Sequence, residues 1–366
     1  MKLSIILGTR PEIIKLSPII RGLENKDLNW HIIHTNQHYS ENMDKIFFEE
    51  LNLPKPKYNL NVGSGTHAQQ TGKMLIGMEE VLLKENPDIV IVQGDTNTTL
   101  AGALVASKLK INIAHVEAGL RSFDRNMPEE INRVLTDHIS DYLFAPTEKA
   151  KNNLLREGIE ENKIFVVGNT IVDATLQNLK IAEKNENAIA FFNSIIDDNY
   201  FLLTLHRAEN VDNKKRLKNI INGIFKITEI YDKDIIFPIH PRTKKRLKEF
   251  NLFNKLKSNK KIKIIEPIGY LEFLILEKNA DLILTDSGGV QEEACILKTP
   301  CITFRDNTER PETVEVGANI LVGDNKEKLI KAVEIMLNKE RNWENPFGDG
   351  NSGKRIIKIL IKSIKR

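Results

Sequence analysis

Cysteine is nearly absent from this sequence: Cys295 and Cys301 are the only two in 366 residues. They could close one bridge at most, and no Cys/His set has metal-ligand spacing, so neither a disulfide scaffold nor a metal site is expected. Both lie in apolar surroundings, Glu-Ala-Cys-Ile-Leu and Pro-Cys-Ile-Thr-Phe, and are expected to be buried thiols in a reducing compartment. Long hydrophobic runs are also missing. None approaches the roughly 18 residues needed to cross a bilayer, and the stretch after Lys2 stops at Leu7, too short for an export signal. The expectation is a cytoplasmic protein with no membrane insertion. There is no excess of either charge: 53 Lys and Arg stand against 50 Asp and Glu, which gives no general case for nucleic-acid binding. Basic runs such as Arg242–Lys248, Lys255–Lys263 and Lys354–Arg366 read as solvated helix faces. Finally, neither Gly-x-Gly-x-x-Gly nor a Gly-Lys-Ser/Thr phosphate loop occurs, which disfavours NAD- and ATP-dependent enzymes.

What is present is ordinary soluble composition, 41% hydrophobic and 28% charged, in a chain longer than the roughly 250–300 residues at which single cores stop growing. Two domains are expected. Short β-branched runs alternate with helical patterns: Leu3–Leu7, Trp30–His34, Ile89–Gln93, Ile113–Glu117, Tyr142–Ala145 and Ile164–Val167, then Phe201–Leu205, Ile235–Ile239, Ile262–Ile265, Leu282–Thr285, Cys301–Phe304 and Ile320–Val322. Continuously apolar strands separated by helices predict parallel sheets buried on both faces, so two such series predict two doubly wound, Rossmann-like α/β domains. The break is placed after Gly168, giving domains 1–168 and 169–350. The tail is a basic amphipathic helix with Ile356, Ile357, Leu360 and Ile364 on one side.

The polar motifs come directly after strands, where ligands bind in open α/β sheets, and the economical arrangement sets both such edges face to face across one cleft. Thr285-Asp-Ser-Gly-Gly-Val-Gln-Glu-Glu-Ala294 reads as strand, tight turn and helix. Ser287, Gly288 and Gly289 could bring a hydroxyl and backbone N–H groups to an anion at the helix N-terminus, and Glu293 could accept both hydroxyls of a ribose diol. Arg10 and Lys15, around Pro11, could neutralise a diphosphate. Asp95 and Glu117 each follow a strand in the first half, so both carboxylates are expected at the same edge, although Asp95 could instead cap the next helix. Glu129 and Glu130 follow Pro128. Glu129, Arg133 and Asp137 have the i, i+4 spacing of an exposed charge ladder, a structural role is favoured for Glu130, and Glu129 is open between the two. His206, at a strand end beside Arg207, suggests a phosphate or acid–base role, whereas His34, His38 and His115 are less decisive.

Taken together, Gly8-Thr-Arg-Pro-Glu, Gly94-Asp-Thr, His115-Val-Glu-Ala-Gly-Leu-Arg, Pro128-Glu-Glu-Ile-Asn-Arg, Thr285-Asp-Ser-Gly-Gly and Arg305-Asp-Asn-Thr-Glu-Arg-Pro-Glu312 closely resemble, in order and over nearly the whole chain, the non-hydrolysing UDP-N-acetylglucosamine 2-epimerases. The resemblance implies the GT-B architecture, with the C-terminal helix 351–366 crossing back to the first domain, and a homodimer. It also implies interconversion of UDP-GlcNAc with UDP-ManNAc, by elimination of UDP to 2-acetamidoglucal and re-addition, without metal or organic cofactor. By the same resemblance Asp95, Glu117 and Glu129 are acid–base groups and His206 lies near the leaving phosphate. Arg10, Lys15, Ser287, Gly288, Gly289, Glu293 and Arg310 match UDP-binding positions, and Ile268 and Phe273 match the uracil side. Many bacterial members bind a second UDP-GlcNAc as an activator. Gln37 and His38 match part of that site, but Thr66-His-Ala-Gln-Gln70 lacks the expected Arg and the Arg121–Pro128 loop is shorter. The alternatives weighed are the hydrolysing 2-epimerases, which release ManNAc and UDP, a GT-B UDP-sugar glycosyltransferase, and a catalytically silent sugar-nucleotide sensor.

Overall fold

The computed structural model describes residues 1–36 and 41–363. In the first sheet, strands β1 (Lys2–Leu7), β2 (Asn29–His34), β3 (Tyr58–Asn59), β4 (Ile89–Gln93), β5 (Asn112–Val116), β6 (Tyr142–Ala145) and β7 (Ile164–Val166) run in the order β3-β2-β1-β4-β5-β6-β7. In the second, β8 (Tyr200–Leu203), β9 (Asp234–Pro238), β10 (Ile262–Ile265), β11 (Leu282–Thr285), β12 (Cys301–Thr303) and β13 (Asn319–Leu321) run β10-β9-β8-β11-β12-β13. Every pairing is parallel. These are two Rossmann-like doubly wound sheets, the pair from which the GT-B fold is built. Each expected apolar run forms a strand. The addition is β3, whose two residues, Tyr58 and Asn59, carry no apolar run to betray them.

Burial explains why the central strands read as uninterrupted apolar runs. β4, β8, β11 and β12 are buried at every position, so alternation would leave polar groups inside the helical layers. The order also creates a switch point in each sheet, between β1 and β4 and between β8 and β11. At such points the following loops diverge to opposite faces and leave room for a ligand. Register sharpens this. Gln93 lies opposite Val116, so the turns starting at Gly94 and Glu117 emerge side by side. Leu284 lies opposite Leu203, which does the same for Asp286 and His206.

The chain forms two compact units, Met1–Ala174 with Phe347–Arg366, and Thr175–Pro346. The first unit runs past Gly168 for a visible reason. Asn169 N–H donates to the Phe347 carbonyl at 2.8 Å, and the Asp173 carboxylate accepts from the Ser352 and Gly353 N–H groups at 3.1 and 3.0 Å. These bonds tie the start of helix Thr170–Ala182 to the returning C-terminal segment. Helix Ser352–Ser363 buries Ile356, Ile357 and Leu360, while Ile364 lies outside the described residues. It packs on helix Arg10–Glu24, so closely that a Cβ on Gly22 would meet Ile357 Cδ1 at 2.4 Å. No helix among the described residues is long and apolar enough to cross a membrane.

Candidate active site

The first unit assembles its site at the β1/β4/β5 edge. β5 ends at Val116 because Glu117 adopts a left-handed backbone, φ +71°, which a strand cannot continue. Such a conformation is costly for a residue with a Cβ and persists only where its surroundings fix it. The Glu117 carboxylate is almost fully buried and accepts Lys15 Nζ at 2.8 and 2.7 Å on its two oxygens, with Gln93 Nε2 donating to one of them. Lys15 therefore holds Glu117 in this structure, in the place where the sequence reading expected a cation for a diphosphate. Arg10 rests its guanidinium over the Phe47 ring, 5.4 Å from the centroid.

Asp95 does not cap the helix that follows it. Thr96 does, its hydroxyl accepting from Thr99 N–H at 3.2 Å, so the Asp95 carboxylate is left for an ion pair with Arg133. Asn132 fixes the Asp95 carbonyl from the same helix, Pro128–Ile139, at 2.9 Å. The i, i+4 ladder read from the sequence is not formed. Arg133 bridges Asp95 and Glu130, and Asp137 turns inward to His115 and Arg121. Glu129 is exposed, and its side chain makes no hydrogen bond or ion pair among the described residues. Glu130 is buried and accepts from Ser122 N–H at 2.8 Å, Phe123 N–H at 3.0 Å and Arg133 Nη1 at 3.0 Å. Burial raises its carboxyl, but these hydrogen bonds outweigh it and hold the group below the ordinary value. That is a loop-holding role.

Glu12 is the organiser that sequence reading missed. Helix Arg10–Glu24 starts with a capping box between Thr9 and Glu12, which places Pro11 one position inside the start. Glu12 reaches further than a box requires. One oxygen accepts from Gly8 N–H at 2.9 Å and Thr9 N–H at 2.8 Å, and the other from the Thr96 and Thr99 hydroxyls at 2.7 and 3.1 Å. It thereby stitches the loop after β1 to the loop after β4. Burial pushes its carboxyl up against those hydrogen bonds. The Thr9–Glu12 spacing was visible in the sequence, but the long-range hydroxyl partners were not.

In the second unit, His206 Nδ1 lies 3.0 Å from Asp286 Oδ1. Asp286 is fully buried and also accepts from the His206 and Arg207 N–H groups, at 3.0 Å each, and from Asn210 Nδ2 at 3.2 Å. Burial raises this carboxyl, but His206, Asn210 and the Arg207 amide bring it below the usual range. With Nδ1 committed to Asp286, Nε2 is the nitrogen left to exchange a proton with a ligand.

Ser287 begins helix Gly288–Leu297 without using its side chain as a cap. Neither Gly288 nor Gly289 has a positive φ, and a Cβ at Gly289 would meet no protein atom within 4 Å, so packing does not demand that glycine. Backbone amides at a helix start, free of Cβ atoms, suit a phosphate. Glu293 accepts from the Tyr270 hydroxyl at 2.8 Å, and Arg310 Nε is held 2.7 Å from the buried Glu292, a partner that the sequence reading passed over. Ile268 and Phe273 are half-buried and pack against one apolar cluster that includes Leu202, Ile236 and Val290. Gln37 and His38 lie outside the described residues; Thr66 and Gln69 form the capping box of helix His67–Glu85.

The sequence profile of the family described as UDP-N-acetylglucosamine 2-epimerase matches residues 21–361. The chain is 87% identical over 361 residues to the UDP-N-acetylglucosamine 2-epimerase of Methanocaldococcus jannaschii, covering 98% of this chain and 99% of that one. It is 67% identical over 361 residues to the Methanococcus maripaludis protein of the same name, covering 98% of each. Among solved structures it resembles the M. jannaschii UDP-GlcNAc 2-epimerase in complex with UDP-GlcNAc and UDP, with a TM-score of 0.89 at 86% identity, covering 99% of this chain and 100% of that one.

Proposed function

The chain belongs to the UDP-N-acetylglucosamine 2-epimerase family, and on that premise we propose that it interconverts UDP-GlcNAc and UDP-ManNAc while keeping the sugar on the nucleotide. The observation that supports this reading best is the division of chemistry between the two switch points. Asp95 and Glu117 sit beside Arg133 and Lys15 in the first unit, and a helix start built from Ser287, Gly288 and Gly289 sits with Glu293, Arg310 and the His206–Asp286 pair in the second.

The hydrogen on C2 of the sugar is poorly acidic, so departure of UDP has to lead. The C1–O bond breaks with its electron pair going to the UDP oxygen, the C2 proton passes to a carboxylate, and 2-acetamidoglucal remains. Re-addition forms the C1–O bond again while a proton is delivered to the opposite face of C2. Amides at a helix start and Arg310 would stabilise the charge that develops on the departing phosphate. His206 Nε2 would lie by the leaving oxygen, its ring oriented by Asp286. Two faces of one carbon need acid–base groups on two sides, which accounts for Asp95, Glu117 and Glu129 rather than a single base.

Incubation of the pure protein with UDP-GlcNAc, followed by separation of nucleotide sugars and free sugars, tests this. A mixture of UDP-GlcNAc and UDP-ManNAc is expected, with no added metal or NAD. Free ManNAc in amounts equal to UDP would assign the chain to the hydrolysing reaction instead.

A further inference from the structure

His115 is one of the histidines for which the sequence offered no definite role. Its side chain is fully buried in β5, two residues before Glu117. Nε2 lies 2.8 Å from the carbonyl of Gly94, the residue before Asp95, and Nδ1 lies 2.6 Å from Asp137 Oδ1. The second Asp137 oxygen accepts from Gly119 N–H at 3.1 Å, just beyond Glu117, and faces Arg121 Nη1 at 2.7 Å.

Resting on the epimerase reading, we propose that His115 and Asp137 form a buried clamp that holds the Gly94–Asp95 and Glu117–Gly119 turns in register, and that both are positioning residues for the acid–base carboxylates.

Backbone geometry shows why a clamp is needed. Gly94, Glu117 and Gly119 have φ of +76°, +71° and +81°, so both turns pass through left-handed conformations, one of them at a residue with a Cβ. Only surrounding bonds keep such a conformation in place. Gly94 N–H donates to Val116 O at 3.0 Å, and Glu117 and Ala118 N–H both donate to Phe144 O at 3.1 Å. Those bonds fix each turn to its own neighbour strand. The clamp is different: one imidazole and one carboxylate link the turn after β4, the turn after β5 and helix Pro128–Ile139, which also supplies Asn132 and Arg133 to Asp95.

The donor count fits as well. A carbonyl and a carboxylate both accept, so each ring nitrogen of His115 donates. Asp137, though raised by its burial, is brought below the ordinary carboxylate value by His115 and Arg121. Arg121 in turn is gripped by Glu157 at 2.7 and 2.6 Å, which balances the buried charge. One ring nitrogen reaches the turn before Asp95 directly, and the other reaches the turn after Glu117 through Asp137, whose second oxygen holds Gly119 N–H.

Two readouts test the clamp, one of which needs no activity. Nitrogen NMR of protein labelled at its 8 histidines should show both His115 ring nitrogens carrying hydrogens that are protected from exchange. A single ring N–H would overturn the proposal whatever the enzyme does. The second readout is the kinetics of Asp137→Asn and His115→Phe, with Glu85→Gln as a stability control. Glu85 accepts Lys2 and Lys57 at 2.7 and 2.8 Å where β1 begins, far along the strand from the turns. Asp137→Asn should lower kcat on the order of 10²-fold, the scale of a small misplacement of reacting groups. KM and UDP affinity should stay within about threefold of wild type, far less than one such misplacement costs in rate. Glu85→Gln should lower Tm and leave kcat unchanged. If His115→Phe does not fold, Asp137→Asn decides. Wild-type kcat in folded Asp137→Asn, or a loss no larger than that of Glu85→Gln at equal Tm, would refute the clamp. An inactive wild type would instead count against the epimerase reading, leaving the NMR result to judge the clamp.

Discussion

Glu117→Gln should reduce kcat by about 10²–10⁴-fold, the range that a positioned acid–base group supplies. The argument is geometric. Glu117 is almost fully buried, its backbone is locked in a left-handed turn, and Lys15 grips both oxygens, so the carboxylate cannot swing aside and be replaced by water. Glutamine keeps the shape but cannot take a proton, and its amide hydrogens oppose the Lys15 ammonium. UDP affinity should change little, because Ser287, Gly288, Gly289, Glu293 and Arg310, most of the groups suited to the nucleotide, belong to the second unit. Steady-state kinetics with UDP titration checks both halves. Loss of UDP binding in step with kcat would show that Lys15, set loose, matters more than the carboxylate.

Asp286→Asn should also be damaging, lowering kcat on the order of 10²-fold, the lower end for an acid–base group that can no longer act. Asp286 is fully buried and accepts two backbone N–H groups, the Asn210 amide and the His206 ring. An asparagine presents an amide donor towards one of these donors and releases the tautomer that leaves Nε2 available. Buried acceptors replaced by donors also destabilise, by about 1–3 kcal/mol, so Tm should fall. The sign of the pH effect follows from the lowered carboxyl. Its contribution to stability is present above the unfolded carboxylate range, near pH 4, and is lost as pH falls through the lower folded value. The wild-type advantage in Tm over Asp286→Asn should therefore shrink in acid. Thermal melts from pH 7 downward, alongside kcat, are the measurement; wild-type kcat in the variant would remove His206 from the mechanism.

Much of this fold could be read from the sequence because buried parallel strands announce themselves. β4, β8 and β11 are apolar at nearly every position and sit between helices, and the motifs at their ends fall at the switch points. What escaped were partners brought together by the sheet rather than by the chain. Arg133 was read as one rung of a helical ladder because its i±4 neighbours are charged, yet it reaches Asp95 on another loop. Glu12 has the spacing of a local cap with Thr9, yet its Thr96 and Thr99 partners lie 84 and 87 residues along the chain. His115 had no local signal, since its acceptors, Gly94 and Asp137, lie on a neighbouring strand end and a packed helix. Asp286 stood in a recognised motif, but only the β8–β11 register shows that it faces His206. Local capping and helical spacing are rules of short range, and they assign charged residues to near neighbours when tertiary contacts have claimed them.

The central claim is that C2 loses and regains its proton while the sugar is detached from UDP. Proton NMR of UDP-GlcNAc incubated with the wild-type protein in D2O tests it directly. Elimination and re-addition predict that UDP-ManNAc appears with deuterium at C2, and that the recovered UDP-GlcNAc becomes labelled at the same carbon. UDP-ManNAc that retains its original C2 hydrogen would contradict the account.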